Sequence, residues 1–159
     1  MKDRFYYKDG TICGEYHYSR IIHREDGPAI EYADGYKEWY LNGERHCESG
    51  PAIEGCNGHK EWWLNGNLHR EDGPAIEYTS GLREWYLNGK LHREDGPAIS
   101  DPNCSRYLWY INGKPLTALN KKQLIKYMRF NNLTIAHLLT DSDEMIRTSA
   151  AKYKWKKTV

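Results

Sequence analysis

The chain has 159 residues, 23 Lys and Arg against 22 Asp and Glu, and a formal charge of +1, a size that fits one domain or one short array with an appendage. No run of about 18 apolar residues is present to span a bilayer, and Met1 is followed by Lys2, Asp3 and Arg4 rather than by an apolar signal core, so a protein of the cytoplasm without a membrane span is expected. The four cysteines, Cys13, Cys47, Cys56 and Cys104, have neither the paired spacing of a zinc site nor the density of a disulfide scaffold, and free thiols are expected.

Self-comparison gives a period of 23 residues. His23, His46, His69 and His92 obey it, as do Gly27, Gly50, Gly73 and Gly96, Pro28, Pro51, Pro74 and Pro97, Ile30, Ile53, Ile76 and Ile99, and Trp39, Trp62 and Trp85. The first unit is degenerate by this count, with Tyr16 in the tryptophan position and Ser19-Arg20 in place of Asn-Gly. One inserted residue puts Trp109, Asn112 and Gly113 one place late in the last unit.

Within a unit, Pro28 to Tyr32 and Tyr36 to Leu41 read as two strands rich in aromatic and branched residues. The Asp34-Gly35 turn joins them, and a longer loop from Asn-Gly to Asp-Gly leads to the next unit. Proline at the first strand position is tolerated, because its missing N–H falls at the strand edge. Alternation assigns the faces. Trp39, Trp62, Trp85 and Trp109 share one with Leu41, Leu64, Leu87 and Ile111, an apolar stripe that needs cover. The other carries Glu38, Glu61 and Glu84 beside Tyr40, Trp63, Tyr86 and Tyr110, an aromatic ladder flanked by acids.

After Pro115 the period stops and helical spacing begins. Asn120 as N-cap with Gln123 opens a helix burying Leu124, Ile125 and Met128; a second starts near Thr134; Asp141-Ser142-Asp143 caps a third from Glu144 to about Lys154. The fold class is therefore mainly β, an elongated meander of antiparallel hairpin repeats over residues 1–116 in four to five units, closed by a helical cap with a basic end over 117–159. Charge follows the same division. Residues 1–119 hold 14 Lys and Arg against 19 Asp and Glu, and residues 120–159 hold 9 against 3. A basic tail can be steered toward an acidic partner, nucleic acid or a neighbouring copy, or form a solvated helix face.

The aromatic before the turn, the turn glycine Gly43 and the histidine three residues later, His46, make the unit resemble the MORN (membrane occupation and recognition nexus) repeat, which is also a 23-residue hairpin. The Arg-Glu-Asp-Gly-Pro-Ala stretch departs from that pattern and is similar to repeats in small proteins of bacteriophages and large DNA viruses. The resemblance covers about residues 5–114. It implies a binding or scaffolding role and names no ligand; its viral variant implies a protein that binds and inhibits a host defence factor in the host cytoplasm.

Three functional readings follow. The first is a non-enzymatic protein-interaction module, with Tyr40, Trp63, Tyr86, Tyr110, Glu38, Glu61 and Glu84 as the partner-binding row, covered by a protein partner, a second copy or the tail. The second is a small-ligand or nucleotide-binding or -cleaving site in the loops, at His69, Arg70, Asp72, His92, Arg93 and Asp95. The third is structural self-assembly. A catalytic constellation is normally built once, whereas this one recurs at 23–26, 69–72 and 92–95, in register with a turn glycine. That recurrence points to a structural role, with the carboxylate accepting backbone N–H bonds and the histidine bridging successive loops. No catalytic residue, cofactor or resident metal is assigned, although the divergent second unit suggests a private Cys47, Cys56, His46 and His59 metal site as a lesser alternative. Single-stranded nucleic acid ranks low, since the interleaved glutamates repel phosphate.

Overall fold

A computed structural model describes residues 2–104 and 106–115, together with Lys122, Ile125, Met128, Arg129, Arg147, Thr148, Ala151 and Lys152. The expected helical cap lies almost wholly outside the described residues. Of the described tail positions, all but Lys152 have helical backbone.

The described residues form eighteen short strands. The first unit contributes β1 (Arg4–Tyr6) and β2 (Ile12–Cys13). Then follow β3 (Ile30–Glu31), β4 (Lys37–Glu38), β5 (Tyr40–Leu41) and β6 (Glu44–Arg45); β7 (Ile53–Glu54), β8 (Lys60–Glu61), β9 (Trp63–Leu64) and β10 (Asn67–Leu68); and β11 (Ile76–Glu77), β12 (Arg83–Glu84), β13 (Tyr86–Leu87) and β14 (Lys90–Leu91). The last unit supplies β15 (Ile99–Asp101), β16 (Arg106–Leu108), β17 (Tyr110–Ile111) and β18 (Lys114–Pro115). Ten of them make one antiparallel sheet in the order β16-β15-β12-β11-β8-β7-β4-β3-β1-β2. The other eight pair off as β5-β6, β9-β10, β13-β14 and β17-β18.

Each full unit thus holds two hairpins rather than one. The expected strand from Tyr36 to Leu41 is broken at Trp39, and the stretch after Asn-Gly is paired rather than open loop. The break has a backbone cause: Trp39 donates its N–H to Ala52 O of the next unit at 2.8 Å, while its carbonyl accepts from His46 N at 3.1 Å on the other side. Trp39 therefore stands where the long sheet and the small hairpin diverge, as do Trp62 and Trp85, which donate to Ala75 O and Ala98 O.

The small hairpins close on two-residue turns with φ positive at both positions: Asn42 and Gly43 at 52° and 84°, Asn65 and Gly66 at 49° and 70°, Asn88 and Gly89 at 51° and 72°. Asn followed by Gly is the pair that tolerates this type I′ geometry, whose twist matches that of the flanking strands. Gly43→Ala is expected to destabilise the protein by about 1–2 kcal/mol, because Cβ is disfavoured in the left-handed region; chemical denaturation measures it. Neighbouring small hairpins are tied by backbone bonds, Arg24 N to Tyr40 O, Cys47 N to Trp63 O and Arg70 N to Tyr86 O at 3.0–3.1 Å, and so form a second column beside the long sheet.

Cross-strand register sorts the two sheet faces. Ile30 lies opposite Glu38, Glu38 opposite Ile53, Ile53 opposite Glu61, Glu61 opposite Ile76, and Ile76 opposite Glu84. The isoleucines and glutamates therefore share one face. On the other, Glu31, Lys37, Glu54, Lys60, Glu77 and Arg83 alternate in sign across the strands, a ladder of favourable pairs. The core is narrow: Ile30, Ile53 and Ile76 are buried, and Ala29, Ala52, Ala75 and Ala98 are fully enclosed at 0 % exposure. It lies on the glutamate side, while the tryptophan stripe that alternation marks as needing cover is only half-buried at Trp39, Trp62 and Trp85.

The first unit is corrected at one position. Tyr16 is 48 % exposed and does not occupy the tryptophan position. Tyr6 does: it donates to Ala29 O at 2.8 Å and accepts from His23 N at 3.0 Å, the two bonds that define Trp39. Sixteen residues separate Tyr6 from His23 where six separate Trp39 from His46, so ten extra residues occupy this loop. They supply β2, which folds back on β1 with Cys13 opposite Phe5, and Phe5, Tyr7 and Ile22 close the core at that end. The late insertion in the last unit is absorbed between β15 and β16, where Ile99 pairs with Leu108 instead of a residue eight positions on.

Candidate binding surface

On the charged face of the sheet, the Arg-Glu-Asp loops build a repeated staple. Arg70 Nε donates to Asp72 Oδ1 at 2.8 Å, its Nη1 donates to Pro74 O at 3.2 Å and to Glu77 Oε1 at 2.9 Å, and its guanidinium lies over the Trp62 ring at 3.9 Å from the centroid. Arg24 does the same with Asp26, Pro28 O and Glu31 at 2.8, 3.1 and 3.1 Å, stacked on Tyr6 at 4.0 Å. Arg93 repeats it with Asp95 at 2.8 Å and Pro97 O at 3.4 Å, on Trp85 at 3.8 Å. A planar cation that both stacks and forks suits this place, and lysine would not replace it. Hydrogen bonds from the arginines hold the Asp26 and Asp72 carboxyls below the usual carboxylate range. The arginine also explains the loop glycine. A Cβ on Gly27, Gly73 or Gly96 would meet the guanidinium carbon at 2.9, 2.8 and 2.7 Å.

The histidines bridge successive units as the sequence suggested. His23 Nδ1 meets the backbone N–H of Asn42 at 3.0 Å, and His46, His69 and His92 meet those of Asn65, Asn88 and Asn112 at 3.2 Å. Each ring therefore anchors the next unit's turn. Its Nε2 faces the glutamate two residues on, at 3.6 Å for Glu25, 3.7 Å for Glu48 and 3.8 Å for Glu71. Of the candidate loop site, His69, Arg70 and Asp72 are thus each engaged within the array, and Arg93 and Asp95 repeat the pairing.

The expected aromatic row is also internally paired. Tyr40 OH donates to Glu38 Oε2 at 2.8 Å, Trp63 Nε1 to Glu61 Oε2 at 2.7 Å and Tyr86 OH to Glu84 Oε2 at 3.0 Å. All three rings are half-buried, and Glu38 is only 7 % exposed. Burial, followed by the bond to Glu38, pushes the Tyr40 phenol up to about 12, and burial followed by the bond to Glu84 raises Tyr86. Tyr110 is half-buried in the same row.

The apolar stripe lines open grooves between successive loops. Trp39 and Leu41 floor one of about 530 Å³ between the loops of Arg24 and Cys47. Trp62 and Leu64 floor the next, about 740 Å³, and Trp85 and Leu87 a third, about 290 Å³. Glu25, Asp26, Glu48, Glu71, Asp72, Glu94 and Asp95 stand around them. Alternation groups these floor residues on one face, and the loops leave them accessible. Period alone carries no sign of it.

The lesser metal alternative at Cys47, Cys56, His46 and His59 is not formed: among the described residues no group of three or more His, Cys, Asp and Glu side chains is placed to hold a metal ion. All four cysteines are free. No helix among the described residues is long and apolar enough to cross a membrane. The fold and its surface define an antiparallel β-hairpin repeat protein. No protein-family model, curated protein or solved structure matches the chain.

Proposed function

We propose that the chain is a non-enzymatic protein-interaction module. The observation that carries this reading is the succession of tryptophan- and leucine-floored grooves with carboxylate rims, set in register along one face. Equivalent grooves stand about 9–10 Å apart, two strand spacings, which suits a polypeptide presenting apolar and basic side chains in sequence. Engagement of His69, Arg70 and Asp72 with their own neighbours supports binding over catalysis. The narrower reading, a viral protein that inhibits a host defence factor, draws on the resemblance of the repeat.

The test is affinity capture from lysate of the natural host, comparing wild type with Leu64→Arg/Leu87→Arg. These substitutions place bulk and charge in the groove floors without touching the staples. Stoichiometric recovery of one protein by wild type, lost in the variant while its circular dichroism is unchanged, is the expected result. Identical recovery by both chains would remove the grooves from the function.

A further inference from the structure

The arginine staple is absent from one unit. Cys47 stands where Arg24, Arg70 and Arg93 stand, yet most of what holds those guanidinium groups is still in place. Trp39 supplies the ring that Tyr6, Trp62 and Trp85 supply elsewhere. Pro51 supplies the carbonyl, and Glu54 the carboxylate equivalent to Glu31 and Glu77. Only the aspartate is lost, replaced by Ser49, whose hydroxyl lies 3.8 Å from the Cys47 sulfur. Glu54 shares the sheet face of Glu31 and Glu77, opposite Lys37 and Lys60.

The space itself is open. A Cβ on Gly27, Gly73 or Gly96 would meet a guanidinium within 2.9 Å, whereas a Cβ on Gly50 would meet nothing within 4 Å. The steric reason for that glycine is gone and the room it makes remains. The gap at Cys47 and Ser49 opens on two grooves, the one of about 530 Å³ over Trp39 and the one of about 740 Å³ that Gly50 and Pro51 line, and Glu25, Asp26, Glu48, Glu71 and Asp72 outnumber Arg24 and Arg70 on their walls, so the field around the gap favours a cation.

We propose that the second unit is a receptor for one arginine side chain, which enters the gap left by Cys47, stacks on Trp39 and donates to Pro51 O and the Glu54 carboxylate. The staples of Arg24 and Arg70 are the template for its geometry, and Arg93 repeats the stacking and the carbonyl bond with Ser100 in the glutamate position. Stacking combined with forked donation selects a guanidinium over an ammonium group. The site deepens the interaction reading by giving the partner one obligatory basic residue. A small probe tests it independently of any partner.

The probe is N-acetyl-arginine amide, titrated into the full chain while the Trp39 indole resonance is followed by NMR, with N-acetyl-lysine amide as comparison. A saturable shift with a Kd on the order of millimolar is expected for the arginine probe, as befits one side chain's worth of contact, and a several-fold weaker response for lysine. Glu54→Gln should weaken binding at least threefold. Cys47→Arg should fill the gap from within, abolish the response and raise Tm by several degrees. No saturable shift at Trp39 in either wild type or Arg129→Gln/Arg147→Gln, or equal binding with and without Glu54→Gln in the chain that responds, would overturn the proposal even if Cys47→Arg failed to fold. Two further arms assign the occupant's source. A response that appears only in Arg129→Gln/Arg147→Gln upholds the site and assigns it to the chain's own tail. Self-association seen by sedimentation in wild type and lost in Cys47→Arg upholds it and assigns it to a second copy. Loss of groove-dependent capture in Leu64→Arg/Leu87→Arg with probe binding intact separates the two proposals.

Discussion

Trp109→Ala is expected to lower the unfolding free energy by about 3–5 kcal/mol, the loss that follows deletion of a large aromatic from a packed interior. Trp109 is 2 % exposed and among the largest fully buried side chains, whereas Trp39, Trp62 and Trp85 are only half-buried beside their grooves. Its neighbours in the last unit share that burial: Arg93, Gly96, Pro97 and Ala98 are all enclosed. In an array each unit contacts only the next, so stability is a sum of local terms and the effect should be confined. Amide hydrogen exchange across Arg106–Lys114 should accelerate first, while Ile30–Glu38 keep their protection. Uniform acceleration through the sheet would mean that the array unfolds as a single cooperative block. Trp85→Ala is the comparison, with a smaller loss, because its ring is only half-buried and is stacked against the Arg93 guanidinium.

How far the sequence carries the fold can be judged at particular residues. The period and the Asn-Gly turns are legible because each repeat must solve the same backbone problem: positive φ at 42 and 43 demands the same pair of residues again at 65 and 66. The break at Trp39 is not legible. Residues 36–41 alternate without interruption, and the kink arises from bonds made to Ala52 and His46, which a local pattern does not contain. Tyr16 was misassigned because His23 keeps the period while the ten extra residues before it do not. The side of the sheet that holds the core is not legible for a different reason. A glutamate is the residue least expected in a core row, and Glu38 is there because a phenol and a guanidinium converge on its Oε2. Among the functional candidates, the loop histidines were legible as bridges. The open grooves were not, since they depend on the spacing between loops, and the loss of an arginine at Cys47 becomes meaningful only once Arg70 is seen lying on Trp62.

Glu38→Ala is expected to cost about 2–4 kcal/mol, because it leaves two partners without their acceptor in a place that water scarcely reaches. Tyr40 OH donates to this carboxylate at 2.8 Å and Arg45 donates through Nε at 3.1 Å, with its Nη2 in ion-pair contact at 3.1 Å. Arg45 in turn lies over the Trp63 ring at 5.2 Å, so the carboxylate helps to hold the next unit's aromatic as well. Glu38→Gln keeps the shape and one acceptor oxygen and should cost less than half as much. The same network sets an alkaline limit. The Tyr40 phenol is raised by burial and then by Glu38 to about 12, above its ordinary value of 10.0 in the unfolded chain. A raised pKa in the folded state contributes stability that is complete below pH 10 and is lost as pH rises toward 12. After discounting for solvent screening, the loss attributable to Tyr40 is about 1 kcal/mol. Urea midpoints measured from pH 9 to 12 should therefore decline in wild type and decline less steeply in Tyr40→Phe, with Tyr86→Phe adding to the effect. An unchanged slope in both variants would mean that neither phenol is held neutral by its glutamate, and the Glu38 cost would then belong to Arg45 alone.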